Sequence, residues 1–302
     1  MKSESNATVA QFPVPTTDLD IDVSDGSIRG RLYRPVGGTH RAALVWLHGG
    51  AFIGGSVDMR EADAVARAFA RRGLLVLNVD YRKVPLFSRT QTWKGSRAIR
   101  YPTPVRDCLA GWKMLLHEAG PLDIPVHRTF VGGASAGGHL ASMVALEARA
   151  AELQRPAGVL LAYPSLHAEL PERGGQERSS LLGRPGQQVQ RCFMRRMSRC
   201  FVGSTHLDLL PEDFPVSPDL ADFPPTCIVA SEHDGQGRSA EIFARQLHHQ
   251  NVPVISRIEP RTIHGYLNFS RRPAFARTIE TFVEWMDSLG HDSENLTAEQ
   301  FR

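Results

Sequence analysis

Ser135 stands in "GGASAGGHLA" (132–141), where glycines flank a serine at the end of an apolar run and the start of a helix-forming one. A serine hydroxyl is a weak nucleophile at neutral pH; it needs a base, and the base needs an acid to orient it. The chain supplies both downstream: Asp234 in "TCIVASEHD", just past one apolar run, and His264 in "PRTIHGYLNF", just past another. The order Ser135, Asp234, His264 is that of an α/β-hydrolase triad, not of the two serine-protease arrangements. Glu232 and His233 flank the acid and eleven other histidines are present. His233 is read as a neighbour of Asp234, because the base must come from a separate loop to reach Ser135. Upstream, "HGGAF" (48–52) follows the apolar run "AALVWL". Consecutive glycines leave main-chain amides unobstructed, so Gly49 and Gly50 can join the N–H of Ala136 in holding the oxyanion of a tetrahedral intermediate. His48 is read as scaffold that holds this loop by hydrogen bonds. Each motif alone is compatible with a plain turn; in combination they point to acyl chemistry.

Such chemistry needs a scaffold that brings three distant loops to one edge. "DLDIDV" and "SIRGRLYRP", separated by Asp25-Gly26, read as an antiparallel hairpin. Short apolar runs at 42–48, 74–81, 129–133, 158–164, 226–231 and 253–259 then read as strands, with helices near 61–72, 105–118 and 136–150. Near-continuous apolar strands separated by helices imply an α/β fold: a mostly parallel sheet with helices on both faces. The glycines at 133 and 137 suit a strained strand-to-helix turn that lifts Ser135 to the C-terminal edge of the sheet. The chain reads as a single domain over 1–302, with mobile tails at 1–14 and 291–302. Roughly sixty residues from about 164 to 225 carry no sheet strand, too many for a plain loop, and read as an inserted helical cap. Within it, "VQRCFMRRMSRCF" places Val189, Phe193, Met197 and Cys200 on one helical face and Arg191, Arg195 and Arg199 on another. That face is read as packing over the active site or on a partner subunit, in preference to lying on a membrane.

With 302 residues, 42% apolar and 22% charged, the chain has the makings of a sizeable core, which excludes wholesale disorder. No apolar stretch reaches the length of a signal peptide or a membrane span, so a cytoplasmic protein without stable membrane insertion is expected. Four scattered cysteines, 108, 192, 200 and 227, suggest reduced, mostly buried thiols rather than a metal site or disulfides. The net charge of +3 is unevenly placed: residues 86–100 hold four basic and no acidic groups, and 173–199 hold seven arginines and one glutamate. No nucleic-acid-binding motif accompanies them, so nucleic acid is not an expected partner. The basic segments allow an anionic or polar substrate. Phe52, Phe87, Trp93 and Tyr266 are candidate pocket walls.

Taken together, "HGGAFIGGS", "NVDYR", "GGASAGGHLA", "SPDLADFPPTCIVASEHD" and "IHGYLNF" resemble the hormone-sensitive-lipase-like family of α/β hydrolases, from about residue 26 to 290. The resemblance implies the α/β-hydrolase fold with an eight-stranded sheet, a helical cap, and hydrolysis of short to medium acyl esters with no metal or cofactor. It carries the nucleophile onto Ser135, the acid onto Asp234, the base onto His264 and the oxyanion donors onto Gly49, Gly50 and Ala136. It also allows a homodimer through the last strand and helix. Three departures stand out. Ala134 replaces the acidic residue or threonine common before the nucleophile. "DGQGRS" replaces an Asp-Pro-Leu-x-Asp-Glu pattern after the acid. A longer cationic insert, "LFSRTQTWKGSRAIR", follows "DYRKVP". An acyltransferase or amidase using the same triad, or a binding protein that keeps the pocket without catalysis, are the alternatives.

Overall fold

Polar and apolar residues alternate through the first two strands, β1 (Thr16–Val23) and β2 (Gly26–Tyr33), which pair antiparallel. The computed structural model describes residues 13–38, 40–85, 99–171, 183–203, 214–215 and 219–291. Six further strands follow: β3 (Ala42–Leu47), β4 (Leu74–Val79), β5 (Thr129–Ala134), β6 (Gly158–Ala162), β7 (Thr226–His233) and β8 (Val254–Ile263). They form one eight-stranded sheet in the order β1-β2-β4-β3-β5-β6-β7-β8. Only the β1–β2 and β2–β4 pairs are antiparallel. The expected fold class and strand order along the chain are therefore those observed.

Strands β3 to β6 are buried along their whole length because helices cover both faces. Helices α1 (Arg60–Ala70), α2 (Thr103–Ala119), α3 (Ala136–Ala150), α4 (Gly183–Val202), α5 (Gly237–His249) and α6 (Pro273–His291) connect or follow the strands. Side chains alternate along β3: Ala43, Val45 and Leu47 join a core with Trp112, Leu140 and Phe243 of α2, α3 and α5. Ala42, Leu44 and Trp46 join another with Phe69 and Phe282 of α1 and α6. Each fully buried Leu, Val or Phe in these layers contributes roughly 2 kcal/mol.

Helix α4 departs from the expected face. Val189 is 69% and Phe193 46% exposed, whereas Met194, Met197 and Phe201 are buried. The buried stripe is offset from the one read off the sequence: Met197 is common to both, Phe201 packs on Phe52 and His139, and Met194 meets the Gln236 amide. Of the cysteines, Cys108 and Cys227 are buried, Cys200 is half-buried and Cys192 is exposed. Among the described residues no helix is long and apolar enough to cross a membrane. Residues 1–12 and 292–302, most of the expected tails, lie outside the described residues, as does most of the cationic insert.

Where β5 turns into α3, Ser135 has φ 55°, a left-handed conformation uncommon for a residue with a side chain. The turn closes tightly because Gly137 lies against the main chain of β3: a Cβ there would collide with the carbonyl oxygens of Leu47 and His48. Gly137→Ala is accordingly expected to destabilise the fold by roughly 3 kcal/mol or more, read as a lower urea midpoint at unchanged slope.

Candidate active site

Four strands end at the same edge of the sheet, and each is followed at once by a residue singled out above. Ser135 follows β5, Asp234 follows β7, His264 follows β8 and His48 follows β3. In open parallel sheets this carboxyl edge is where ligands bind.

The structure brings Ser135, His264 and Asp234 together from loops far apart in sequence. The Ser135 hydroxyl donates to His264 Nε2 at 2.8 Å. The opposite ring nitrogen, Nδ1, donates to Asp234 Oδ2 at 2.6 Å. The Asp234 carboxylate is buried. Its other oxygen, Oδ1, accepts the Gln236 main-chain N–H at 3.0 Å and the Gln190 side-chain amide at 3.3 Å. Tyr163 meets the His264 ring edge-on at 5.0 Å and limits its swing. The arrangement can take a proton from Ser135 and hold the imidazolium that results. His233, the rival base, instead lies 3.7 Å from Glu232.

Loop 48–52 passes directly beside Ser135; a Cβ on Gly49 would lie 3.5 Å from the Ser135 Cβ. His48 is buried, stacks on Tyr81 at 4.3 Å, and accepts the Tyr81 hydroxyl on its main-chain oxygen at 2.8 Å. Its Nδ1–H donates to the Gly49 carbonyl at 2.7 Å. Burial lowers the His48 pKa to about 4, so the ring is neutral. The Gly50 carbonyl accepts the N–H groups of Ile53 and Gly54.

A trans peptide points its N–H opposite its C=O. The N–H groups of Gly50 and Ala51 therefore point away from the donors that occupy those carbonyls. Both residues line a cavity of about 290 Å³ together with Ser135 and His264. Ala136, the first residue of α3, has one of the N–H groups a helix leaves unpaired at its start. Gly49 does not fit its expected part. Its N–H donates to the buried carboxylate of Glu61 at 3.0 Å, which leaves Gly50, with Ala51 beside it, and Ala136 as the candidate oxyanion donors.

Phe52 lines the cavity and stacks on Phe201 at 4.2 Å. Phe87 and Trp93 fall outside the described residues. Tyr266 is not a wall: it is buried behind Tyr163, its hydroxyl paired with Thr278 of α6 at 2.5 Å. The short 3₁₀ turn Tyr266–Asn268 directs it inward, and Asn268 reaches the cavity instead. Walls that sequence reasoning missed include Met59, Tyr163 and Met194, whereas Phe193 and Met197, on the face expected to pack over the active site or a partner subunit, do line the cavity. The Met194/Met197 spacing, one helical turn apart, was the available signal. Among the described residues no lysine or arginine lines this cavity, and no group of three or more His, Cys, Asp or Glu side chains is arranged to hold a metal ion.

A family model described as alpha/beta hydrolase fold matches residues 44–268. The chain belongs to that family. An arylesterase of Saccharolobus solfataricus is 26% identical over 85% of this chain and 78% of its own length. An esterase of Pyrobaculum calidifontis superposes with a TM-score of 0.76 at 26% identity, covering 96% of this chain and 90% of that one. Brefeldin A esterase, described as a bacterial homologue of human hormone-sensitive lipase, shares the fold with a TM-score of 0.74 at 23% identity, over 92% and 78% of the two chains. The protein is a serine ester hydrolase of the hormone-sensitive-lipase-like branch of the α/β hydrolases.

Gln190 is the one side chain of α4 that bonds to Asp234 among the hydrogen bonds described. Gln190→Leu, similar in volume, removes a donor to a charged acceptor, a loss of about 1.5 kcal/mol. A roughly tenfold lower kcat/KM for p-nitrophenyl butyrate, with the melting temperature little changed, is the expected result.

Proposed function

We propose that the protein is a carboxylesterase that hydrolyses short to medium acyl esters through an acyl-enzyme. Ser135 Oγ attacks the ester carbonyl while His264 Nε2 takes its proton. The N–H groups of Gly50 and Ala136, with Ala51 beside them, hold the oxyanion. Protonated His264 then gives its proton to the departing alcohol. Water, deprotonated by the same nitrogen, attacks the acyl-enzyme, and collapse returns the proton to Ser135 and frees the acid. Asp234 fixes the tautomer with Nδ1 protonated and stabilises the imidazolium.

The observation that carries this reading is the continuous relay from Ser135 through His264 to Asp234, at 2.8 and 2.6 Å. For the oxyanion, one well-placed donor is worth about 3 kcal/mol of barrier. The cavity supports acyl groups of modest size: its wall is largely apolar, with Phe52 of loop 48–52 and Met194 and Met197 of α4. We read residues 164–225 as the cap over this cavity, since α4 supplies both methionines. An anionic substrate gains no support from the described wall. Arg191 and Arg195 border a separate depression with Glu169, to which Arg195 is paired at 2.8 Å.

Replacement of Ser135 by alanine is expected to lower p-nitrophenyl butyrate turnover by about 10⁴-fold or more and to abolish labelling by a fluorophosphonate. Retained turnover in Ser135→Ala would reject the assignment. Release of butyrate in preference to butyryl transfer, in the presence of competing amines and alcohols, separates hydrolysis from acyl transfer. For esters of equal chain length, kcat/KM for an acidic and a neutral substrate should respond equally to ionic strength.

A further inference from the structure

One buried carboxylate at the site has no part in the steps above. Glu61 lies in the first turn of α1, 1% exposed, and borders the cavity beside Ser135. Its two oxygens have separate partners: Oε1 accepts the indole N–H of Trp46 at 2.6 Å, and Oε2 accepts the main-chain N–H of Gly49 at 3.0 Å. No cation is paired with it among the salt bridges of the described residues. Burial of a carboxylate without a cation is unfavourable, and an apolar side chain here would carry no such cost. Burial pushes its pKa up to about 7, against the pull of the two donors. The ionisable groups that interact with it across the core, Tyr81 and Tyr163, are both held neutral by burial.

The main-chain groups on either side of the Gly49 Cα are all held. The His48 carbonyl accepts the Tyr81 hydroxyl, the Gly49 N–H meets Glu61, and the Gly49 carbonyl accepts His48 Nδ1–H. Glycine has more backbone freedom than any other residue, so without these bonds the peptide that carries the Gly50 N–H would not keep one direction. We infer that Glu61 is a positioning residue for the reaction: through the Gly49 N–H it fixes the loop so that the Gly50 N–H meets the oxyanion formed at Ser135. This rests on the roles proposed above for Ser135 and Gly50.

The test compares wild type, Glu61→Gln, Trp46→Phe and Ser135→Ala as full-length chains, with active sites counted by fluorophosphonate end-point titration. Kinetics use p-nitrophenyl butyrate. Inhibition uses an alkyl trifluoromethyl ketone, whose carbonyl takes the Ser135 oxygen to give a hemiketal oxyanion, the proton passing to His264. Glutamine keeps the shape but offers an acceptor to only one of the two N–H groups. For Glu61→Gln, kcat per site is expected to fall at least tenfold with KM within twofold. The inhibition constant of the ketone should rise by the same factor as kcat/KM falls. Trp46→Phe keeps the bond to Gly49 and should lose no more than about threefold.

A Glu61→Gln protein that melts earlier but keeps kcat per site and ketone affinity makes the residue structural and overturns the inference. If Glu61→Gln accumulates unfolded, Glu61→Asp is read by the same ratio; it keeps the charge but withdraws the oxygens by one methylene. A wild type that the ketone does not inhibit, or a Ser135→Ala protein inhibited equally well, would reject the serine reading itself, which is a different outcome from failure at Glu61 alone.

Discussion

The close approach of Gly137 to the carbonyls of Leu47 and His48 is the constraint on which the site depends. It joins the end of β3 to the start of α3, so the loop after β3 lies beside Ser135. The turn between them is strained at Ser135 and held by its main chain. The Ser135 N–H donates to Ala162 of the neighbouring strand β6, and its carbonyl accepts from Gly138, His139 and Ser165. With the serine backbone held from the sheet, the helix and the following loop, only the hydroxyl is left to rotate. Local strain of this kind persists when the surroundings over-determine it.

Two buried carboxylates lie close to Ser135, and both accept bonds from N–H donors. Asp234 takes its bonds from His264, Gln236 and Gln190, while Glu61 takes its bonds from Trp46 and Gly49. An arginine beside Asp234 would compete with the ring of His264 or cancel the charge that the imidazolium needs. Main-chain and amide donors keep the carboxylate oriented without supplying a full positive charge. The same preference holds at the oxyanion side, where the candidate donors are main-chain N–H groups that need no reorganisation during the reaction.

The scaffold was legible because its signals are periodic. Apolar runs of strand length, separated by helix-forming segments, placed six strands and three helices close to their observed bounds, and the triad followed from what comes after each run. Residues whose role depends on a direction were not legible. Gly49 and Gly50 look alike in sequence, yet only their surroundings tell them apart: the Gly49 N–H turns to Glu61, and the peptide planes are set by the neighbouring His48 ring and by Tyr81 from elsewhere in the fold. Glu61 looked like an ordinary acidic residue in a first helical turn, where the helix dipole favours negative charge; nothing local says that the turn is buried beneath another loop. Helix α4 misled for another reason. It packs Phe201 on Phe52 and His139 and borders the cavity with Phe193, Met194 and Met197, so apolar residues occupy more than one face, and Phe193 is both half-exposed and a wall of the cavity.

The odd sequence after the catalytic acid candidate has a physical account in this packing. A side chain or proline ring at position 235 would run into the amide of Gln190, so glycine there leaves room for α4 to reach Asp234. Further on, Ser239 takes the place of an acidic residue, and its hydroxyl meets His167 Nδ1 at 2.6 Å. Burial lowers the His167 pKa to about 4, so that ring is neutral. Position 239 is buried, so a carboxylate there would need a compensating partner that the serine hydroxyl does not. Arg238, the other replaced position, points outward to Glu241 at 2.8 Å. Of these departures, the glycine at 235 is the one tied to the docking of α4 on the turn that carries Asp234. The helix that walls the cavity also donates to the acid, so a ligand pressed against Met194 and Met197 bears on the same helix that holds Asp234 in place.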